Sequence, residues 1–264
     1  MQIGYDTYNH LIMSSPIFLY RAIPKIAHFI FEPFYVQNMP LSWQNNIQSF
    51  MKHHGDYEIN VWSVSDASEI IQSYYPQYMK LFNSIDEMIS KIDFLRYILL
   101  YHFGGVYIDL DISWYQRLPD TVLNYHLILV KEDNYKIFGQ LSNCLMGCTA
   151  KHPFMLKCFS QIQINSLKKY KSKFEQILNT SGPVMLTQVF INTQKNNIYL
   201  EWSTETDTKT LPFVDTKKRI LVFPRQFYSN FKLNGSKNNY LIFYHHMDSS
   251  WCLEHGHESY SNRY

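Results

Sequence analysis

The feature that most constrains the fold is a long apolar helix pattern joined directly to an apolar strand pattern. Residues 84–103 place apolar side chains at helical spacing, and Ser84 with Glu87 three positions later has the pattern of a capping box. Gly104 is expected to end this helix, and a strand is predicted over 106–114. Helices and strands in alternation are typical of an α/β fold, with a mostly parallel central sheet flanked by helices.

Further segments extend this alternation over most of the 264 residues. The chain has 46% hydrophobic residues, which is enough to form a sizeable core, and it contains no internal repeat and no evident linker. We therefore expect a single domain over 1–264. We predict strands at 23–31, 57–63, 219–224 and 240–246, apolar runs at 125–130 and 143–148, and helices at 42–54, after Asp66, after Pro153, at 168–178 and after 181–183.

Composition argues against several classes of protein. The chain has 24 basic and 22 acidic residues, without the strongly basic character of a nucleic-acid-binding protein. Its four cysteines form no C-x-x-C pair and are expected to be reduced thiols. The apolar N-terminal stretch is interrupted at 14–16, and no segment reaches the ~18 apolar residues of a membrane span. We therefore expect a soluble, cytoplasmic protein without a signal peptide or transmembrane segment.

Two aspartates, Asp109 and Asp111, interrupt the apolar strand predicted after the glycines. Side chains alternate along a strand, so Tyr107, Asp109 and Asp111 are expected to share one face. Adjacent carboxylates repel each other unless a cation lies nearby, and Mg²⁺ and Mn²⁺ favour such ligands. A solvated turn is the alternative explanation. The long apolar run before the aspartates and the glycine pair favour a metal site at the carboxyl end of the strand, where open α/β sheets bind ligands.

Five ordered segments resemble the D-x-D sugar transferases, a family that includes yeast-type α-mannosyltransferases, α-1,4-galactosyltransferases and bacterial capsule enzymes. The catalytic core of the large clostridial glucosylating toxins is related to them. The segments are "IPKIAHFIF" (23–31), "DFLRYILLYHFGGVYIDLDIS" (93–113), "NCLMGCTAKHPFM" (143–155), "SGPVMLTQ" (181–188) and "HHMDSSW" (245–251). The resemblance covers about 23–251, with 1–22 as an N-terminal extension and 252–264 as a tail. It implies a GT-A-type nucleotide-sugar-binding fold.

The resemblance also implies a donor site. Phe31 would stack on the nucleotide base, with the backbone of Ile30 beside it. Asp93 would bind sugar hydroxyls, and Arg96 would contact the sugar or the diphosphate in a catalytic role. Further donor contacts are implied for Tyr107, Asp109, Asn143, Ser250 and Trp251.

A divalent metal, Mn²⁺ or Mg²⁺, is implied at the D-x-D motif. Asp111 would be a direct ligand and Asp109 would act through metal-bound water, with His246 and Ser249 completing the set. His245 competes with His246 because strand alternation lets only one of them face the site. A nitrogen ligand would favour Mn²⁺. Trp251 would donate its indole N–H to the departing diphosphate.

The function implied is a metal-dependent retaining glycosyltransferase. It would move a hexose, with UDP-glucose or UDP-galactose favoured as donor, to an acceptor hydroxyl in α-linkage. The acceptor would be a glycan, a lipid or a protein. A GDP-mannose-dependent α-mannosyltransferase is the alternative. A haloacid-dehalogenase-type phosphatase with Asp109 as nucleophile is a more distant alternative, because the sequence lacks that family's downstream acid pair. A non-catalytic sugar-nucleotide sensor is the third alternative function.

Overall fold

A mixed seven-stranded sheet lies at the centre of the fold. The computed structural model describes residues 22–33, 38–132, 140–194, 213–215, 219–223 and 241–246. Its strands are β1 (Ile26–Ile30), β2 (Glu58–Trp62), β3 (Gly105–Ile108), β4 (Ile112–Trp114), β5 (Leu127–Lys131), β6 (Leu141–Cys148), β7 (Phe213–Asp215), β8 (Ile220–Phe223) and β9 (Phe243–His245). The central order is β2-β1-β3-β6-β5-β8-β7, and β6 and β7 run opposite to the other five. The expected mostly parallel sheet is confirmed.

Helices cover both faces of this sheet. They are α1 (Leu41–His53), α2 (Val64–Tyr74), α3 (Met79–Asn83), α4 (Met88–Phe103), α5 (Pro153–Ser166), α6 (Lys173–Thr180) and α7 (Pro183–Gln194). Side chains of α2, α4, α5 and α7 form one core with Tyr107 of β3. Phe50 of α1 forms a second core with Val106 and Ile108, and Trp114 and Phe243 of the small β4–β9 sheet join it. Alternation along β3 thus separates the two cores.

The central helix begins later than predicted. Residues up to Asn83 form α3, and the Ser84 hydroxyl donates to Leu81 O (2.8 Å), so Ser84 closes that helix. Helix α4 follows Glu87, which makes no side-chain cap. The prediction of a capping box at Ser84 is therefore wrong. A capping box does form at Ser63 and Asp66, at the start of α2.

The predicted strand over 106–114 is wrong as one continuous element, because it divides between two sheets. Gly104 precedes β3 and Gly105 begins it, and they have φ of 70° and 90°. A Cβ on Gly104 would lie 2.7 Å from Ala150 N, and one on Gly105 would overlap Ile26 O. Both positions therefore require glycine. The chain then turns after Ile108 and enters β4, which pairs with β9.

Most other predicted elements are confirmed to within a few residues. The helix predicted over 168–178 begins at Lys173, and β7 was not predicted. Cys144, Cys148 and Cys158 are buried free thiols. Among the residues described, no helix has the length and apolar character needed to cross a membrane. A single domain over 1–264 stays a prediction.

Candidate donor and metal site

The D-x-D motif lies in the turn between β3 and β4. The Asp109 backbone N–H donates to Cys144 O on β6 (2.8 Å), which extends the ladder one residue past β3. Leu110 O instead accepts from the side-chain amide of Asn46 on α1 (2.9 Å). The turn, rather than alternation along one strand, brings Asp109 and Asp111 together.

Three potential ligands meet at this turn. One carboxylate oxygen from Asp109, one from Asp111 and one ring nitrogen of His245 all lie within 4.8 Å of one another. His245 Nε2 is 3.3 Å from Asp111 Oδ1. The side chains of Asp109, Asp111 and His245 are 25%, 15% and 12% exposed, so the cluster is recessed and open to solvent.

Distances, rather than the strand register, distinguish His245 from His246, because a ring nitrogen of His245 lies close to both aspartates. Ile112 lies opposite His245 in this antiparallel pair. His246 is exposed, and its Nε2 lies 2.6 Å from Ser113 Oγ. His245, the competitor of His246 in the sequence interpretation, is thus the histidine near the aspartates, and a metal role for either histidine stays a prediction. Neighbouring residues of a strand point to opposite sides, which explains why only one of them reaches the aspartates.

Asp93 is the buried acid behind this cluster, with a side chain only 5% exposed. Its Oδ1 accepts from Arg96 Nη2 (2.9 Å) and from Asn143 Nδ2 (2.9 Å). Its Oδ2 accepts from Ser181 Oγ (2.9 Å), which lies at the junction of α6 and α7. Helix α4, strand β6 and the α6–α7 junction therefore meet at one carboxylate.

Arg96 joins Asp93 to the D-x-D motif. Its Nη1 donates to Asp109 Oδ1 (3.1 Å) and to Asn143 O (2.8 Å), and its guanidinium carbon lies 4.6 Å from the centre of the Tyr107 ring. The Tyr107 hydroxyl donates to the same Asp109 oxygen (2.7 Å). The orientation of Asp109 is thus fixed by two donors, one charged and one neutral.

The electrostatics of the cluster favour a further positive charge. Burial raises the pKa of Asp93 to about 6, against the opposing effect of Arg96. Burial also raises the pKa of Asp109, and Asp111 adds repulsion. Burial lowers the pKa of His245, but the Asp111 carboxylate more than offsets this and holds it well above its usual value. A cation beside Asp109 and Asp111 would favour the ionised form of both acids.

The donor set fits a divalent cation. Two carboxylates and one imidazole bring their ligand atoms within 4.8 Å of one another, and all three side chains reach solvent. Carboxylate ligands suit Mg²⁺ and Mn²⁺, and an imidazole nitrogen shifts the preference toward Mn²⁺. Asp109, Asp111 and His245 are therefore the residues that could hold the metal expected from the sequence.

Comparison with known proteins finds a family match that includes the D-x-D part of this site. Residues 40–129 match the profile of the glycosyltransferase sugar-binding region containing the DXD motif. Residues 40–129 are therefore similar to the DXD sugar-binding region of glycosyltransferases, and they are called the DXD region below. This DXD region spans α1, the Asp93 and Arg96 helix and the turn with both aspartates.

Two relatives have names that describe sugar transfer, in agreement with the glycosyltransferase profile. The chain is 31% identical over 174 residues to the mannosyl phosphorylinositol ceramide synthase SUR1 of Saccharomyces cerevisiae, covering 64% of this chain and 42% of that protein. It is 29% identical over 185 residues to inositol phosphoceramide mannosyltransferase 3 of Schizosaccharomyces pombe, covering 70% and 49%. The chain thus spans less than half the length of these relatives.

A solved structure supports the fold. The structure titled PaToxG Glycosyltransferase superposes with a TM-score of 0.50, covering 71% of this chain and 75% of that chain at 16% identity. This likeness bears on architecture alone, and it agrees with the expected GT-A-type α/β fold.

The predicted base-binding residues lie at the same edge of the sheet as the DXD region's aspartates. Ile30 ends β1, which pairs in parallel with β3, and Phe31 follows it. Phe31 is half-buried, and its ring meets Trp43 edge-to-face at 6.3 Å between centroids. Its backbone N–H donates to Trp62 O (2.9 Å).

Three predicted site residues, Ser249, Ser250 and Trp251, lie outside the described residues. Their roles stay predictions. The predicted site residues of β3, α4 and β6 lie together around Asp109.

Two residues of the site were not anticipated from the sequence. Asn46 contacts the DXD turn, and Ser113 lies between Asn46 and His246. A weak signal for Asn46 was available, because it lies four residues before Phe50 on the apolar face of the predicted helix. An amide on that face needs buried hydrogen-bond partners.

Proposed function

We propose that the chain is a divalent-metal-dependent glycosyltransferase that moves a hexose from a nucleotide sugar to an acceptor hydroxyl. The observation that carries this proposal is the meeting of Asp109, Asp111 and His245 at the DXD turn. Asp109 and Asp111 would repel a donor diphosphate, and a cation held between these carboxylates and the diphosphate would offset that repulsion.

Asp109, Asp111 and His245 would hold Mn²⁺, or Mg²⁺ in its place, with Ser249 as a further ligand. The bound ion would supply positive charge against the charge that develops on the leaving diphosphate. Imidazole ligation favours Mn²⁺.

The remaining side chains would bind and orient the donor. Arg96 and Tyr107 fix Asp109, and the guanidinium of Arg96 would present positive charge to the sugar or the diphosphate. Asp93 accepts three hydrogen bonds from residues that the structure describes, and a carboxylate can accept about four, so Oδ2 could accept one more from a sugar hydroxyl. Trp251 would donate its indole N–H to the departing diphosphate, with Ser250 beside it.

We also propose that the configuration of the transferred sugar is retained, as in the D-x-D sugar transferases that the sequence resembles. An oxocarbenium-like sugar would form as the diphosphate leaves, and the acceptor would attack from the face that the phosphate vacates. The departing phosphate oxygen would take the acceptor proton. This route needs no nucleophile or general base from the chain.

A mannose donor has more support than the UDP-hexose favoured from the sequence alone. The two relatives reported above are named as a mannosyl phosphorylinositol ceramide synthase and an inositol phosphoceramide mannosyltransferase. GDP-mannose is therefore the first donor to test, and inositol phosphoceramide the first acceptor.

The experiment is a donor screen with GDP-mannose, UDP-glucose and UDP-galactose, each with Mn²⁺, Mg²⁺ or EDTA. We expect release of nucleoside diphosphate from GDP-mannose with Mn²⁺, an α-linked product with acceptor, and no turnover in EDTA. Full turnover in EDTA would contradict the metal-dependent mechanism. Phosphate release from phosphate monoesters would instead support the phosphatase alternative, and donor binding without any turnover would support a sensor.

A further inference from the structure

Asn46 lies in the middle of α1 and uses both ends of its side-chain amide. The residue is 8% exposed. Nδ2 donates to Leu110 O (2.9 Å), and Oδ1 accepts from Ser113 Oγ (2.8 Å). A carbonyl oxygen can only accept, so the contact with Leu110 O fixes which end of the amide faces Ser113.

The bond to Leu110 O holds the turn between the two aspartates. Leu110 lies after the end of β3 and before β4, outside the strand pairings on either side. A buried carbonyl without a partner is costly, so this turn depends on a donor from another element. Asn46 supplies that donor from α1.

The hydrogen bond from Ser113 to Asn46 is the first of a series that reaches the strand carrying His245. A serine hydroxyl has one hydrogen, and here it is donated to Asn46 Oδ1. The 2.6 Å contact between Ser113 Oγ and His246 Nε2 must therefore be donated by the imidazole, which fixes its tautomer. The backbone N–H of His246 also donates to Asp111 O (2.9 Å). His246 is thereby held at two points beside Asp111.

We propose that Asn46 is a positioning residue of the metal site. One amide links α1 to the turn that presents Asp109 and Asp111 and, through Ser113 and His246, to the strand that presents His245. The inference rests on the proposed function, since it assigns Asn46 to the geometry of that same site. A purely structural role would lower stability without changing the affinity for metal in the folded protein.

The test compares Asn46→Ala with Asn45→Ala, because Asn45 is the exposed neighbour on the same helix and the two substitutions change helix propensity equally. Mn²⁺ alone is titrated into each protein and followed by electron paramagnetic resonance, beside thermal unfolding. We expect about tenfold weaker Mn²⁺ binding for Asn46→Ala, the lower end of the range for residues that orient ligands. Asn45→Ala should match the wild type. Donor turnover by Asn46→Ala at limiting Mn²⁺ should fall and then recover at saturating Mn²⁺.

Unchanged Mn²⁺ affinity in folded Asn46→Ala would overturn the inference while leaving the proposed function intact. A turnover defect that saturating Mn²⁺ does not relieve would overturn it as well. If Asn46→Ala fails to fold, Ser113→Ala decides, because it removes the link to His246 and leaves the Leu110 bond in place. Unchanged Mn²⁺ affinity there overturns the inference. Failure of the wild type to bind Mn²⁺ would overturn the proposed metal site and this inference together.

Discussion

Asp109 and Asp111 differ in what surrounds them, although they are separated by one residue. Asp109 is held by Arg96 and Tyr107, whereas Asp111 faces His245 and solvent. We expect Asp111→Asn to lower donor turnover by at least about a hundredfold, because a bound ion contributes several kcal/mol to the transition state and ~1.4 kcal/mol is a factor of ten. Mn²⁺ titration and donor hydrolysis measure this. Exposed Asp86→Asn is the matched control, and full activity in EDTA or in Asp111→Asn would contradict a metal role.

Asp93 separates recognition of the sugar from recognition of the diphosphate. Its Oδ2 has one acceptor position beyond the bond from Ser181. Asp93→Asn keeps the volume and loses a charge-assisted bond, at about 1.5–3 kcal/mol. We expect roughly ten- to hundredfold weaker binding of nucleotide sugar and little change for the bare nucleoside diphosphate, measured by calorimetry. Equal losses for both ligands would mean that Asp93 acts only through Arg96 and Asp109.

The β4–β9 pair brings the end of β9 to the DXD turn, where His245 rather than His246 lies within reach of both aspartates. The register places Ile112 opposite His245, and His246 turns to Ser113. We expect His245→Ala to weaken Mn²⁺ binding about tenfold or more, and His246→Ala to weaken it less. Of the two histidines, His245 is the one with a ring nitrogen within 4.8 Å of both aspartate carboxylates. Titration of Mn²⁺ into both variants checks the order. A larger loss for His246→Ala would mean that the register of β9 shifts when metal binds.

The elements themselves were predictable where a pattern is local. The apolar helix ending at Gly104 carries its own signals, and so do Asp109 and Asp111 as a ligand pair. The break after Ile108 was not predictable, because it depends on the donor from Asn46 and on β9, more than 60 residues away in one direction and more than 100 in the other. Ser84 likewise had a capping pattern, but the preceding helix used that serine at its own end.

Across the whole molecule, two buried histidines, His28 and His54, tie distant segments together, and the partly buried His152 caps α5. His28 is fully buried between β1 and the glycine pair, where its Nε2 donates to Gly104 O (2.9 Å) and its Nδ1 accepts from Trp62 Nε1 (3.2 Å). His54 accepts from Leu118 N–H (2.8 Å), and His152 accepts from Phe154 N–H at the start of α5 (3.2 Å). Burial lowers the pKa of each of the three to about 4.

These histidines predict a loss of stability in mild acid. Between about pH 6.5 and pH 4 the unfolded chain binds protons that folded His28 does not, so the free energy of unfolding falls as the pH is lowered through this range. One pKa unit corresponds to about 1.4 kcal/mol, so the change from 6.5 to about 4 gives up to about 3 kcal/mol for His28 alone. Urea unfolding at intervals from pH 7 to pH 4 measures the slope for the wild type and for His28→Gln. The variant should be less stable at pH 7, because it loses buried hydrogen bonds, and its stability should depend less on pH. A variant that is destabilised at pH 7 yet keeps the full wild-type pH dependence would show that His28 does not titrate on unfolding.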